Sequence, residues 1–313
     1  MKRHLLAVSL SLLLNACGGD SPIAVMPLCL NDACGQVVDL VTVPDAENTL
    51  VTPQGRIFVS GGTGVFELTR TRDGSYAAQA ISPATCNFTG LALRGDVLYA
   101  ACFDGTLHAA RLTATPQLQV IHDTGLSAAN GLATGPEGEL YLVNGPLVSD
   151  PRVLRLRLSA SDPFRVTEQI DWLTTDLLGP NGVAVDGRML YLTDNTSTPP
   201  AGRVQAVRIA SDGSPGERRT LATFTDVLDD LSVHGDSLLV ARYAGGQVTE
   251  LGLDGTIRQE TRAQGLSFPS SVRAASSPLL QPGDVLITQK GIIGDNVTPV
   301  GNRLSVLRPN RTD

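Results

Sequence analysis

Gly-Pro-Asn-Gly-Val-Ala-Val-Asp-Gly-Arg-Met-Leu-Tyr-Leu-Thr-Asp-Asn, residues 179–195, reads as one structural unit. A turn leads into a short apolar strand, Val183 to Val185, Asp186-Gly187 reverses the chain, and a second strand runs from Met189 to Thr193. Asp-Gly between two alternating apolar runs is the strongest short-range signal for a β-hairpin. Asn181 stands just ahead of the first strand, where its side chain is free to point outward.

The unit recurs along the chain. Aligned on the residue four places before the last apolar position of the first strand, the copies are anchored at Glu47, Thr89, Asn130, Asn181, Asp229 and Ser270. The intervals are 42, 41, 51, 48 and 41 residues. A period of roughly 40 to 50 residues is that of a four-stranded propeller blade. In the first copy the inner segments are Thr49–Val51, Arg56–Val59 and Gly64–Leu68, and a polar outer segment such as Arg219–Ala222 closes a copy. The sixth copy has no outer segment of its own, while Val37–Val43 is left over upstream of the first. The expected fold is therefore all-β: a six-bladed β-propeller of four-stranded antiparallel blades over residues 37–313. Its ring would be closed by an N-terminal strand near 37–43, which removes the free edge. No second domain is expected.

Composition agrees with this reading. Glycine is frequent at 32, aromatics make up 4 %, and no long periodic helix is visible. At the N-terminus Lys2, Arg3 and His4 precede an apolar run from Leu5 to Leu14, followed by Leu14-Asn15-Ala16-Cys17. Residues 1–16 read as a secretory signal, too short to span a bilayer. The Leu-x-Ala-Cys ending resembles the bacterial lipobox, which implies lipidation of Cys17, a tether over 17–36, and a membrane contact made through that lipid. Gly18 after the cysteine points to the outer membrane, facing the periplasm. The chain carries 24 basic and 31 acidic side chains, net −7, or −9 once Lys2 and Arg3 leave with the signal segment. An acidic chain is a poor partner for nucleic acid. Outside the cytoplasm Cys29, Cys34, Cys86 and Cys102 should pair. Of three connectivities, Cys29–Cys34 and Cys86–Cys102 is favoured, the second joining neighbouring strands of one hairpin. No Cys-x-x-Cys spacing suggests zinc.

Residues leading into the inner strands of a propeller face one mouth of its channel. Among the six anchors, Glu47, Asn130, Asn181 and Asp229 are oxygen donors, and Asp230 stands beside Asp229. Carboxylates and amide oxygens converging on an axis suit a hard divalent cation, calcium before magnesium. Asn-Gly at 130–131 and 181–182 is also what a tight turn favours. Turn chemistry alone gives no reason for Glu and Asp at the equivalent positions. His108, His122 and His234 lie in strand or turn contexts away from the ring, and Trp172 is expected to pack between blades or to line a rim.

These residues resemble the senescence marker protein 30/gluconolactonase family, with paraoxonase-like lactonases as relatives. The likeness covers Val37 to Leu307 and is most specific in two places. One is Pro180-Asn181-Gly182 with Leu190-Tyr191-Leu192-Thr193-Asp194, the other Asp229-Asp230 through Val240-Ala241-Arg242-Tyr243-Ala244-Gly245-Gly246-Gln247-Val248. The resemblance implies a divalent metal held by Glu47, Asn181 and Asp229, with calcium first and magnesium, manganese or zinc as alternatives. It implies Asn130 and Asp230 as substrate contacts and Asp229 as a candidate catalytic base. Two departures stand out: Glu47 is followed by Asn48-Thr49-Leu50 rather than Gly-Pro and an aromatic, and Asp229 by Asp230 rather than Gly. The implied activity is metal-dependent hydrolysis of a small-molecule lactone or related ester. The alternative is a non-catalytic propeller that binds a ligand or protein in the cell envelope.

Overall fold

Each repeat folds into four antiparallel strands, as the spacing of its turns dictates. The computed structural model describes residues 28–81, 86–197, 199–293 and 298–310. Among them 24 strands form six four-stranded sheets, and there is no helix. The expected signal segment and Cys17 lie outside the described residues.

The six innermost strands are Thr49–Val51, Phe88–Arg94, Ala129–Thr134, Pro180–Asp186, Leu228–His234 and Pro269–Ala274, taken here as blades one to six. Each touches the next, and the sixth touches the first, so they enclose an axis. Ring closure is as expected. Gly35–Thr42 pairs with Arg303–Pro309 as the outer strand of blade six, with Val37 opposite Leu307 and Val38 opposite Val306. The packed chain begins earlier than the expected tether allows. Leu30 is fully buried against blades five and six, and Gln259 clasps its backbone, accepting from the Leu30 N–H and donating to the Leu28 carbonyl. Both favoured disulfides are present, Cys29–Cys34 and Cys86–Cys102, with Cα separations of 5.7 and 5.9 Å.

The apolar core is divided into six parts, one between each pair of neighbouring blades. Period-2 strands bury one face against the preceding blade and one against the next, which leaves the axis to polar residues. Trp172 packs as expected, edge-on to Tyr141 with ring centroids 4.9 Å apart, and its indole N–H donates to the Gly213 carbonyl at 2.8 Å.

The inner strands start with a local irregularity that creates the site. Pairing with the second strand slips between Phe88 and Leu91, Ala129 and Leu132, Pro180 and Val183, Leu228 and Leu231, and Pro269 and Ser271. Such bulges leave residues out of the ladder and re-aim their side chains. Asn181 is therefore inside its strand and buried, not ahead of it. The glycines after the anchors are not turn residues either. A Cβ on Gly131 would lie 2.4 Å from the Asn181 carbonyl, and one on Gly182 would lie 2.5 Å from the Asp230 Cα. Glycine is needed there because adjacent inner strands nearly touch.

Hydroxyls on three second strands fasten the bulges. Thr193 Oγ1 accepts from the Gly182 N–H at 2.8 Å and donates to the Asp229 carbonyl at 2.5 Å, tying one bulge to the next blade's anchor. Ser60 links the Asn48 N–H to the Thr89 carbonyl, and Thr288 links the Ser271 N–H to the Glu47 carbonyl, in the same way. Thr193→Val keeps the side-chain shape but strands two buried backbone groups. It should cost about 1–3 kcal/mol, read as a lowered midpoint in denaturant unfolding with an unchanged slope.

Candidate functional site

Blades four, five and one bring their anchors to one polar cluster. Asn181 Nδ2 donates to Asp229 Oδ1 at 2.9 Å across the blade four–five junction. Asn48 Nδ2 donates to Asp230 Oδ2 at 2.6 Å, joining blade one to blade five. Glu47 completes the cluster from blade one, and its charge is felt by both Asp229 and Asp230. Asn130 occupies the same position one blade before Asn181 and is buried, and its amide makes no hydrogen bond to another described residue.

The other two anchors are not part of the cluster. Thr89 turns its hydroxyl to the Ala129 and Asn130 carbonyls, and Ser270 turns its own to the Ala46 carbonyl. They fasten neighbouring blades. The residues that close second strands hold the approach loops. Asp194 accepts from the N–H groups of Leu178 and Gly179, just ahead of Asn181. Asn195 accepts from the Leu228 N–H and donates to its carbonyl, both at 2.8 Å, just ahead of Asp229.

The most informative residue is one that the repeat pattern does not mark. Lys290 follows the second strand of blade six, Val285–Gln289, and places its Nζ 2.5 Å from Glu47 Oε2 and 2.8 Å from Asp45 Oδ1. Its composition signal is plain in retrospect. The chain has only two lysines, Lys2 and Lys290, and every arginine-or-lysine position other than these is arginine.

Burial sets the electrostatics. Asp229 is held well above the usual carboxylate range first by desolvation and then by the charge of Glu47, against which Lys290 acts more weakly. Desolvation also raises Asp230, to about 6, although Arg273, the Leu231 N–H and the Asn48 amide all favour its charged form. Glu47 is raised by burial despite Lys290. Four carboxyl groups thus face two cations, Lys290 and Arg273. The Oδ1 atoms of Asn181 and Asn48 are buried without a hydrogen-bond partner among the described residues. A buried orphan acceptor is costly unless something outside the protein satisfies it. Excess negative charge, oxygen donors only and an unpartnered Asn181 Oδ1 beside Asp229 together fit a hard divalent cation. Glu47, Asn181 and Asp229 are the residues that could hold it. Asp230 sits with Asn48 and Arg273 beneath them. Another group of metal-ligand atoms, on Cys86, Cys102 and His108, belongs to a disulfide and a packed histidine set edge-on to Phe88.

No protein-family model matches this sequence, and no curated protein matches it. Solved structures do resemble it in fold. Regucalcin from Agrobacterium tumefaciens, described as a calcium-binding protein, is 16% identical over 91% of this chain and 98% of its own, with a TM-score of 0.66. The gluconolactonase XC5397 from Xanthomonas campestris is 18% identical over 88% and 90%, with a TM-score of 0.64. Aldose sugar dehydrogenase from Streptomyces coelicolor, in its PQQ-bound form, is 15% identical over 88% and 98%, with a TM-score of 0.61. One fold hosts all three chemistries, so the site has to carry the functional argument. The chain is a six-bladed β-propeller that shares its architecture with a gluconolactonase and a regucalcin.

Proposed function

We propose that this protein is a divalent-metal-dependent hydrolase of lactones or related esters, belonging with the gluconolactonase-like propellers. The observation that carries the reading is the unpartnered, buried Asn181 Oδ1 beside the Asp229 carboxyl, with Glu47 facing both. Glu47, Asn181 and Asp229 would hold the cation, calcium first. A divalent cation supplies Lewis-acid polarisation of a carbonyl and stabilises negative charge that develops on its oxygen. The remaining work falls to the chain. Asp229, whose carboxyl is held above the usual range by burial and then by Glu47, is the group placed to take a proton from an attacking water. The free amide of Asn130 would orient the ester. Asp230, in contact with Asn48, would hold Asp229 and Glu47 in place rather than meet substrate. The Leu14-Asn15-Ala16-Cys17 ending supports anchorage through a lipid on Cys17, in the cell envelope facing the periplasm.

The test is a panel of aliphatic and sugar lactones assayed with and without chelator. Turnover that disappears in chelator and returns with calcium is expected. Ligand binding without chelator-sensitive turnover would replace this reading with a non-catalytic binding propeller.

A further inference from the structure

Lys290 is built into the acidic cluster more firmly than a surface cation would be. Its backbone N–H donates to the Phe268 carbonyl at 3.0 Å, and its own carbonyl accepts from the Asn302 N–H at 3.2 Å. The loop that follows is held by Tyr243, whose hydroxyl donates to the Gly291 carbonyl at 2.6 Å. Asp45, the second partner, is fixed as well. It holds a left-handed backbone at φ 51°, and its N–H donates to Asn302 Oδ1 at 2.6 Å. Burial alone would push the Lys290 ammonium toward neutrality, but Glu47 and Asp45 outweigh that and keep it charged. Lysine is the suitable residue for this. An ammonium is a compact point charge on a flexible stem, whereas a guanidinium is a broad planar fork. In a chain that uses arginine at every other basic position beyond Lys2, a lysine at the acidic ring is a specific choice.

Glu47 is also one of the three residues that would hold a divalent cation. One carboxylate cannot be shared at contact distance by an ammonium and a dication without strong repulsion between the two positive charges. Asp45 offers the ammonium an alternative seat 2.8 Å away that is not among those three residues.

We propose that Lys290 is the built-in counter-ion of the acidic ring: without a divalent cation its ammonium bridges Asp45 and Glu47, and a bound cation displaces it from Glu47 onto Asp45, so that Lys290 sets the cation affinity of the site. The inference rests on the cation centre proposed above and adds the residue that regulates it. It accounts for how a buried cluster with four carboxyl groups stays assembled without metal. It also makes the site respond to cation concentration rather than bind irreversibly.

The test is calorimetric titration of calcium into the full-length chain, wild type beside Lys290→Met, with melting measured in chelator and in calcium. Lys290→Met should bind calcium at least tenfold more tightly than wild type and melt lower in chelator. Lys290→Gln, which keeps a donor for Asp45, is judged by the same criterion where Lys290→Met does not fold. A second readout needs no variant fold at all. In lysine-labelled protein the Nζ resonance of Lys290, one of only two lysines, should shift as calcium saturates the site. Equal or weaker calcium binding in the variants, or an Nζ resonance unmoved at saturation, overturns the role of Lys290 and leaves the cation centre standing. Absence of calcium, magnesium, manganese and zinc binding in wild type and variants alike overturns both.

Discussion

Asp229→Asn is expected to abolish the calcium-induced rise in melting temperature and to lower lactone turnover by at least a hundredfold. The substitution is nearly isosteric and keeps an oxygen in reach of the Asn181 amide, whose Nδ2 now donates to Asp229 Oδ1 at 2.9 Å. What it removes is the carboxyl next to the unpartnered Asn181 Oδ1, and with it the candidate base of the proposed reaction. A ligand bound only by the native state adds about 2.7 kcal/mol at a hundredfold excess over its dissociation constant. That increment should vanish in the variant. General acid–base groups contribute roughly 10²–10⁴-fold to rate, which sets the expected loss. Stability in chelator should move the other way. Burial and Glu47 both disfavour a charged Asp229, so the neutral amide relieves a native-state penalty and the metal-free variant should melt higher than wild type. A variant that is more stable without calcium and indifferent to calcium separates loss of function from loss of fold. Persistence of the calcium-induced shift would show that the cation, if bound, is held elsewhere.

The fold was legible because its signals are local and repeated. Asp186-Gly187 between apolar runs marks a hairpin, and six copies at a blade-like interval leave one closed architecture. Ring closure by the strand before blade one followed from counting strands, and Val38 does lie opposite Val306. The anchors were legible for the same reason, since equivalent repeat positions face one axis. What the repeat could not convey was which anchors turn toward the axis. Thr89 and Ser270 are short hydroxyls whose nearest acceptors are backbone carbonyls of the adjoining blade, so they close junctions instead. Asn130-Gly131 and Asn181-Gly182 look like turns in sequence because strand approach and tight turning both call for glycine. Only the position of the next blade's carbonyl, 2.4 Å from a Cβ at Gly131, tells them apart. Lys290 is at the opposite extreme. It lies 243 residues from Glu47 in sequence, in the least regular copy, and meets Glu47 only because the ring closes. Its rarity was the one available signal.

In chelator the wild-type protein should lose stability relative to Asp230→Asn as pH rises from about 4 to 8. The Asp230 carboxyl is raised to about 6 from an ordinary value of 3.8, chiefly by burial, so between those values the folded chain binds a proton that the unfolded chain has released. Its contribution is therefore fully present below about pH 4 and is lost as pH passes through 6. A shift of about two units corresponds to roughly 3 kcal/mol. Asp229 and Glu47 are shifted in the same direction, chiefly by burial, and add to the loss. Other groups slope differently. Burial pushes His108 down, which adds stability as pH rises toward 6.5. The exposed Asp73, Asp212, Asp236 and Asp254 are lowered, first by hydrogen bonds from Thr71, Ser214, Arg258 and Thr256, and act only in the acid range. Subtracting Asp230→Asn cancels these terms, because the amide still accepts from Asn48 and only the ionisable group is gone. Saturating calcium should flatten or reverse the difference, since a cation binds the deprotonated ring and competes with protons for it. Denaturant unfolding at several pH values, with chelator or with calcium, measures both curves. A wild-type-minus-variant difference that stays constant from pH 4 to 8 in chelator would mean that Asp230 ionises as it would in water, and that the ring is not the desolvated acidic cluster from which its cation chemistry is inferred.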